Sequence, residues 1–211
     1  MYRFVILLFF SAVHAQLEIN GTCDLTNINH HTVVSDKIAG KWYQIERIPN
    51  SVEKGDCSHT TLTIEIDNST LVWSGNKYDS EVVDGKLALR NATIMNTSEL
   101  GVWNVTYHDG ISQAVVILGT DNTEYLMLYS CQNNGNTSAT ISAWKLGRNT
   151  TYSLSAKNAT NTLAANANIA NTTWKVVSHS EAACKLKGGA TNLQLSPLLF
   201  LLLALGLAKD I

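Results

Sequence analysis

Four cysteines and six histidines are the side chains in this 211-residue chain with the most chemistry to offer. The cysteines stand at Cys23, Cys57, Cys131 and Cys184. No two of them are close in sequence, which argues against the paired spacing of a tetrahedral zinc site. An even count behind a secretory leader argues instead for two disulfides in an oxidising compartment, and sequence alone allows three pairings. His30 and His31 are adjacent, a poor geometry for gripping one metal, and read as surface loop. His59 and His108 fall at a strand end and a turn and read as solvated. No nucleophile is matched to a base and no acid–base pair is evident, so neither an enzyme nor a cofactor is expected. With a net charge of −2 and no basic run, nucleic acid is not an expected partner.

The two ends read as addresses. Met1-Tyr2-Arg3, the apolar run Phe4–Phe10 and the small residues before Gln16 form a secretory signal over residues 1–15. That run falls well short of the roughly 20 residues a membrane-crossing helix needs. At the other end, Gly188, Gly189 and Ala190 precede a polar spacer and the apolar tail Leu198–Ala208. This is the order needed for a GPI lipid, with residues 189–211 removed and the chain held to the outer leaflet of the cell membrane. Residues 16–188 then form one domain of about 170 residues, enough to bury a core. Asn-x-Ser/Thr sequons occur at Asn20, Asn68, Asn91, Asn96, Asn104, Asn136, Asn149, Asn158 and Asn171. Their spread predicts a surface coated with glycan.

The elements that must position these side chains are short strands. Thr61–Ile66 alternates polar and apolar residues and leads through Asp67-Asn68-Ser69 to Leu71-Val72-Trp73. Asp84-Gly85 and His108-Asp109-Gly110 mark hairpins, into Lys86–Leu89 and from Val102–Tyr107 into Ala114–Leu118. Tyr125–Ser130 and Ile141–Leu146 flank the turn at Asn133–Asn136. Evenly spaced strands with tight turns predict an all-β antiparallel sandwich or barrel. Ser153–Ala167 carries a helical period, and a short strand is expected near Trp174–Val177. A glycan on Asn104 would have to face outward, placing Trp103, Val105 and Tyr107 inward.

Three motifs in order carry a family resemblance. Gly40-Lys41-Trp42, extended through Tyr43-Gln44-Ile45-Glu46-Arg47-Ile48-Pro49, resembles the opening signature of the lipocalins. Thr120-Asp121 with Tyr125, and Trp144-Lys145-Leu146-Gly147-Arg148, resemble the second and third. The resemblance spans Cys23 to Cys184 and is strongest to the group that includes apolipoprotein D, insect bilin-binding proteins and Lazarillo.

The resemblance implies an eight-stranded antiparallel up-and-down β-barrel with one C-terminal α-helix packed outside. It implies that Arg148 lies across the Trp42 indole at a closed end shared with the Thr120-Asp121 turn. It also implies pairing of Cys23 with Cys131 and of Cys57 with Cys184, which would leave no cysteine for cavity chemistry. A barrel of this size holds either side chains or one small guest, and the family takes the second option. The expected function is extracellular binding and transport of a small hydrophobic ligand (fatty acid, retinoid, steroid or bilin). Alternation assigns Leu62, Ile64, Ile66, Trp73, Trp103, Val105 and Tyr107 to the cavity wall. The resemblance adds Ala114, Val116 and Leu118. The alternative is a Lazarillo-like surface glycoprotein whose exterior meets a cell-surface protein partner.

Overall fold

The computed structural model describes residues 16–187 apart from 26, 27, 30, 32–34, 67–72 and 98–100. The expected leader, the small cluster Gly188-Gly189-Ala190, His30 and the sequon at Asn68 lie outside the described residues.

Eight strands run up and down in chain order: β2 (Gly40–Arg47), β3 (Asp56–Ile66), β4 (Trp73–Val83), β5 (Lys86–Asn96), β6 (Val102–Tyr107), β7 (Ser112–Thr120), β8 (Tyr125–Asn134) and β9 (Ser138–Gly147). Each pairs antiparallel with the next, and β9 pairs back onto β2, which closes the barrel and removes its edges. Two short additions extend it: β1 (Leu17–Asn20) on β9 and β10 (Lys175–Val176) on β2. The hairpin at Asp84-Gly85 has positive φ at both residues, +52° and +77°. That backbone matches the right-handed twist of the strands it joins.

Helix α1 (Leu154–Asn166) lies against β7 and β8. Ser153 caps it, accepting from the Ala156 N–H at 3.2 Å, while Glu124 receives both the Ser153 N–H and its hydroxyl. One cap of this kind contributes about 1 kcal/mol. The helix buries Ala156, Thr160 and Ala164. Its approach depends on Gly119, where an added Cβ would fall 2.7 Å from Leu163 Cδ1.

The chain therefore has two cores. The inner one, inside the barrel, gathers Trp42, Leu62, Ile94, Trp103, Val105, Tyr107, Val115, Ile117, Leu126, Leu128, Trp144 and Leu146. The outer one, under α1 and the N-terminal segment, gathers Val102, Val116, Leu118, Met127, Tyr129, Ile141 and Ile169. Disulfides Cys23–Cys131 and Cys57–Cys184 fasten the two flanks to β8 and β3. A four-residue helix, α2 (Glu181–Cys184), carries the last cysteine. Of the sequon asparagines among the described residues, all are exposed except Asn96, which is half-buried.

Candidate functional site: the barrel interior and its mouth

One end of the barrel is sealed. Gly40 takes φ +98°, a backbone state that suits glycine, and a Cβ there would meet the Arg148 guanidinium at 3.2 Å. The Arg148 guanidinium stacks on the Trp42 ring at 3.7 Å and donates to the carbonyls of Lys41 and Lys37. Trp42, fully buried, donates its indole N–H to the Ile38 carbonyl at 2.8 Å. In the neighbouring turn, one Asp121 carboxylate oxygen accepts the backbone N–H groups of Thr123, Glu124 and Tyr125. Burial raises the Asp121 pKa, but these three donors outweigh it and hold it below the ordinary carboxylate value. The Thr120 hydroxyl donates to the Tyr125 carbonyl at 2.5 Å. Gly40, Trp42, Thr120, Asp121, Tyr125 and Arg148 thus form a structural base.

Of the proposed wall residues, Leu62, Trp103, Val105 and Tyr107 belong to the inner core, with Ile64 packed against it. Ile66 and Trp73 pair with each other in the β3–β4 ladder, but their side chains lie outside the described residues. Ala114, Val116 and Leu118 require correction, for they belong to the outer core. On β7 it is Gln113 and Val115 that border the small interior void, and Val115 and Ile117 that join the inner core. β7 is buried on both faces from Val115 to Thr120. Without a polar side, alternation cannot mark which face is inward.

Among the described residues, side chains fill most of the hollow expected inside. Side chains leave a void of about 10 Å³, bordered by Thr60, Lys77, Tyr107, Gln113, Leu128 and Trp144. That is room for about one water. The larger spaces flank the mouth, at about 380 and 320 Å³, and Glu53 of the β2–β3 loop borders both.

What closes the mouth is polar. Glu53 Oε2 accepts from the Trp144 indole N–H at 2.6 Å and from the Asn50 amide at 2.8 Å; Oε1 accepts from the Gln44 amide at 2.6 Å. Arg47, with no exposed surface, donates to Gln44 Oε1 and to the carbonyls of Glu53 and Gly55, and lies 3.6 Å from Glu81. Glu81 in turn accepts the N–H groups of Lys54 and Gly55. Lys77 pairs with Asp79 and reaches the Tyr107 hydroxyl at 3.4 Å. The Arg90 guanidinium lies over that ring, 3.5 Å from its centroid, and pairs with Asp109 on the rim. These charged residues escape a search for greasy walls. Their signal in the sequence is period-two, since Lys77, Asp79 and Glu81 alternate along β4 on the same inward face as the cross-strand partners Leu62 and Thr60.

Burial favours the neutral amine of Lys77, yet Asp79 first, then Tyr107 and Glu53, carry its pKa above the ordinary lysine value. Burial likewise pushes Glu53 toward its neutral form. The charges of Lys77 and then Arg47, with the Trp144 and Asn50 donors, outweigh that and hold it below its ordinary 4.5. A lowered carboxyl pKa makes a stabilising contribution that is complete above the unfolded value and lost as pH falls through the lower folded one. The melting temperature of the protein is therefore expected to exceed that of Glu53→Gln by a constant margin from pH 8 to pH 5, since both pH values lie above the unfolded carboxyl's ordinary 4.5. The margin should shrink only below that. A margin already vanishing between pH 7 and 6 would show that burial wins instead.

A closed eight-stranded antiparallel barrel, sealed at one end, covered at the other by a loop and braced by one helix outside, is the lipocalin fold. Residues 39–181 match the model of the Lipocalin / cytosolic fatty-acid binding protein family, and the chain belongs to that family. Its members bind small hydrophobic ligands. Among curated proteins it is 30% identical to apolipoprotein D of Cavia porcellus over 118 residues, covering 54% of this chain and 60% of that one. It is 29% identical to apolipoprotein D of Bos taurus over 143 residues, covering 66% and 73%. The match thus spans 60% of the length of the Cavia porcellus relative. Among solved structures, insecticyanin of the tobacco hornworm Manduca sexta superposes with a TM-score of 0.69 at 17% identity, covering 82% of this chain and 94% of that one. Lobster apocrustacyanin A1 does so with 0.61 at 19% identity, covering 71% and 81%.

Proposed function

We propose that this chain captures a small apolar molecule inside its barrel, outside the cell, while tethered to the outer leaflet by a GPI lipid. The observation that carries the binding reading is the division of the interior into two layers. The inner layer is apolar and aromatic, with Trp103, Val105, Leu128 and Leu146. The mouth layer is charged and belongs in part to a loop, with Glu53 hydrogen-bonded across it to Trp144 and Gln44. A barrel built only for stability would gain more from an apolar plug, since buried charges cost several kcal/mol unless every one is well paired. Withdrawal of the loop would open the apolar layer to a guest, whose affinity then comes chiefly from area buried at about 25 cal/mol per Å². Fatty acids, retinoids, steroids and bilins are the candidate guests, and each requires side chains of that layer to move aside.

The test is a titration of the mature protein with retinoic acid and arachidonic acid, read by tryptophan fluorescence. Trp42, Trp103 and Trp144 all lie in the inner core, so a bound guest should quench them in a saturable way. Native mass spectrometry of material from its own tissue should show a co-purifying small molecule. Absence of both would favour the alternative, recognition of a cell-surface partner through the exterior. Release from cells by phospholipase C tests the tether, and release by detergent alone would overturn it.

A further inference from the structure

We propose that the Glu53 carboxylate occupies the seat of a ligand's own acidic head, so that the guest is an apolar acid that enters by displacing Glu53. The inference rests on the binding reading above. Two of the three donors to this carboxylate, the Trp144 indole and the Gln44 amide, stand on β9 and β2 and stay with the barrel wall when the loop leaves. Asn50, the third, is on the loop itself. Departure of Glu53 therefore strips two wall donors of their acceptor, and a donor left unmatched in a dry site is costly.

A neutral acceptor such as an alcohol oxygen could satisfy those hydrogen bonds, but the surrounding field discriminates further. Lys77 and Arg47 stabilise the ionised form of Glu53 strongly enough to overcome its burial. A place that keeps one carboxyl charged does the same for another. The seat also holds unspent polar capacity. Among the described residues, two groups able to donate, Arg47 Nε and Thr60 Oγ1, are buried with no hydrogen-bond partner. Buried polar atoms without partners are few in native proteins, and these two sit in the mouth layer or just beneath it. Thr60 borders the small void together with Lys77 and Trp144, the direction in which an acyl tail would pass from the head toward the apolar layer.

The experiment compares three probes with one tail, oleic acid, oleyl alcohol and methyl oleate, against the intact mature protein and against Glu53→Gln and Glu53→Ala. Oleic acid is expected to bind the unaltered protein about tenfold or more tighter than the alcohol or ester, a difference of about 1.4 kcal/mol. Both variants should bind the acid tighter still, because the internal competitor is gone, with a smaller gain for the neutral probes. Gln44→Leu, which removes a wall donor, should narrow the preference for the acid. Equal binding of all three probes to the unaltered protein would overturn the acid seat and leave the binding reading standing. Failure of every probe to bind protein and variants alike would overturn both. The comparison on the unaltered protein holds even if a variant fails to fold.

Discussion

Replacing Cys57 and Cys184 together is expected to lower stability by about 5 kcal/mol, the loop-closure entropy of a cross-link spanning 127 residues. Opening the Cys23–Cys131 link, which spans 108, should cost nearly as much. For a domain of this size the melting temperature should fall by about 10–20 °C per bridge. The first bridge carries a second effect. Cys57 has φ +53°, a left-handed state, at the point where β3 departs from regular register between Asp56 and His59. Its N–H donates to the Ser178 carbonyl at 2.7 Å, so the backbone is held there by more than sulfur. Alanine at 57 would keep that strained state without the link. Cys57→Gly with Cys184→Ala should therefore melt higher than Cys57→Ala with Cys184→Ala, by about 1 kcal/mol of stability. Calorimetry of both pairs decides, and equal melting would show that the backbone relaxes once the sulfur is gone.

Trp42→Ala is expected to cost about 3–5 kcal/mol, the range for removing a fully buried large aromatic. The loss exceeds that of the ring's own burial because the indole also holds the Ile38 carbonyl and supports Arg148. A double-mutant cycle of Trp42→Leu with Arg148→Met, read by urea denaturation, should give a coupling of about 0.5–2 kcal/mol. Additive single effects would mean that Arg148 acts only through its bonds to the Lys41 and Lys37 carbonyls. Ligand affinity should be unchanged in Arg148→Met, since the base lies at the end of the barrel away from Glu53.

The fold was legible where the chain follows ordinary two-sided strand logic. Asp84-Gly85 and His108-Asp109-Gly110 announce their hairpins, and Asn104 on the outer face correctly sets Trp103, Val105 and Tyr107 inward. The helix is found between Ser153 and Ala167, which prove to be its two caps. Most of β4 is missed because its pattern is inverted. Its inward positions are Gly75, Lys77, Asp79 and Glu81, while Tyr78 faces solvent. A reader who expects apolar residues inside sees no strand there. β7 fails for the opposite reason, since apolar residues on both faces hide which side is the wall. β1 is too short to show a period, whereas the short strand expected near Trp174–Val177 is found as β10. Glu53 lies in a loop, where no periodicity exists, and only three-dimensional closure brings it to Trp144, 91 positions away.

The two-sided burial of β7 and β8 also separates tasks within single strands. Val115, Ile117, Leu126 and Leu128 look into the barrel, while their chain neighbours Val116, Leu118, Met127 and Tyr129 hold the helix. Odd and even positions of one segment thus answer to different neighbours, one set to the packing inside the barrel and the other to the helix that braces it from outside. A substitution in either set is felt as lost stability, but on opposite sides of the same wall.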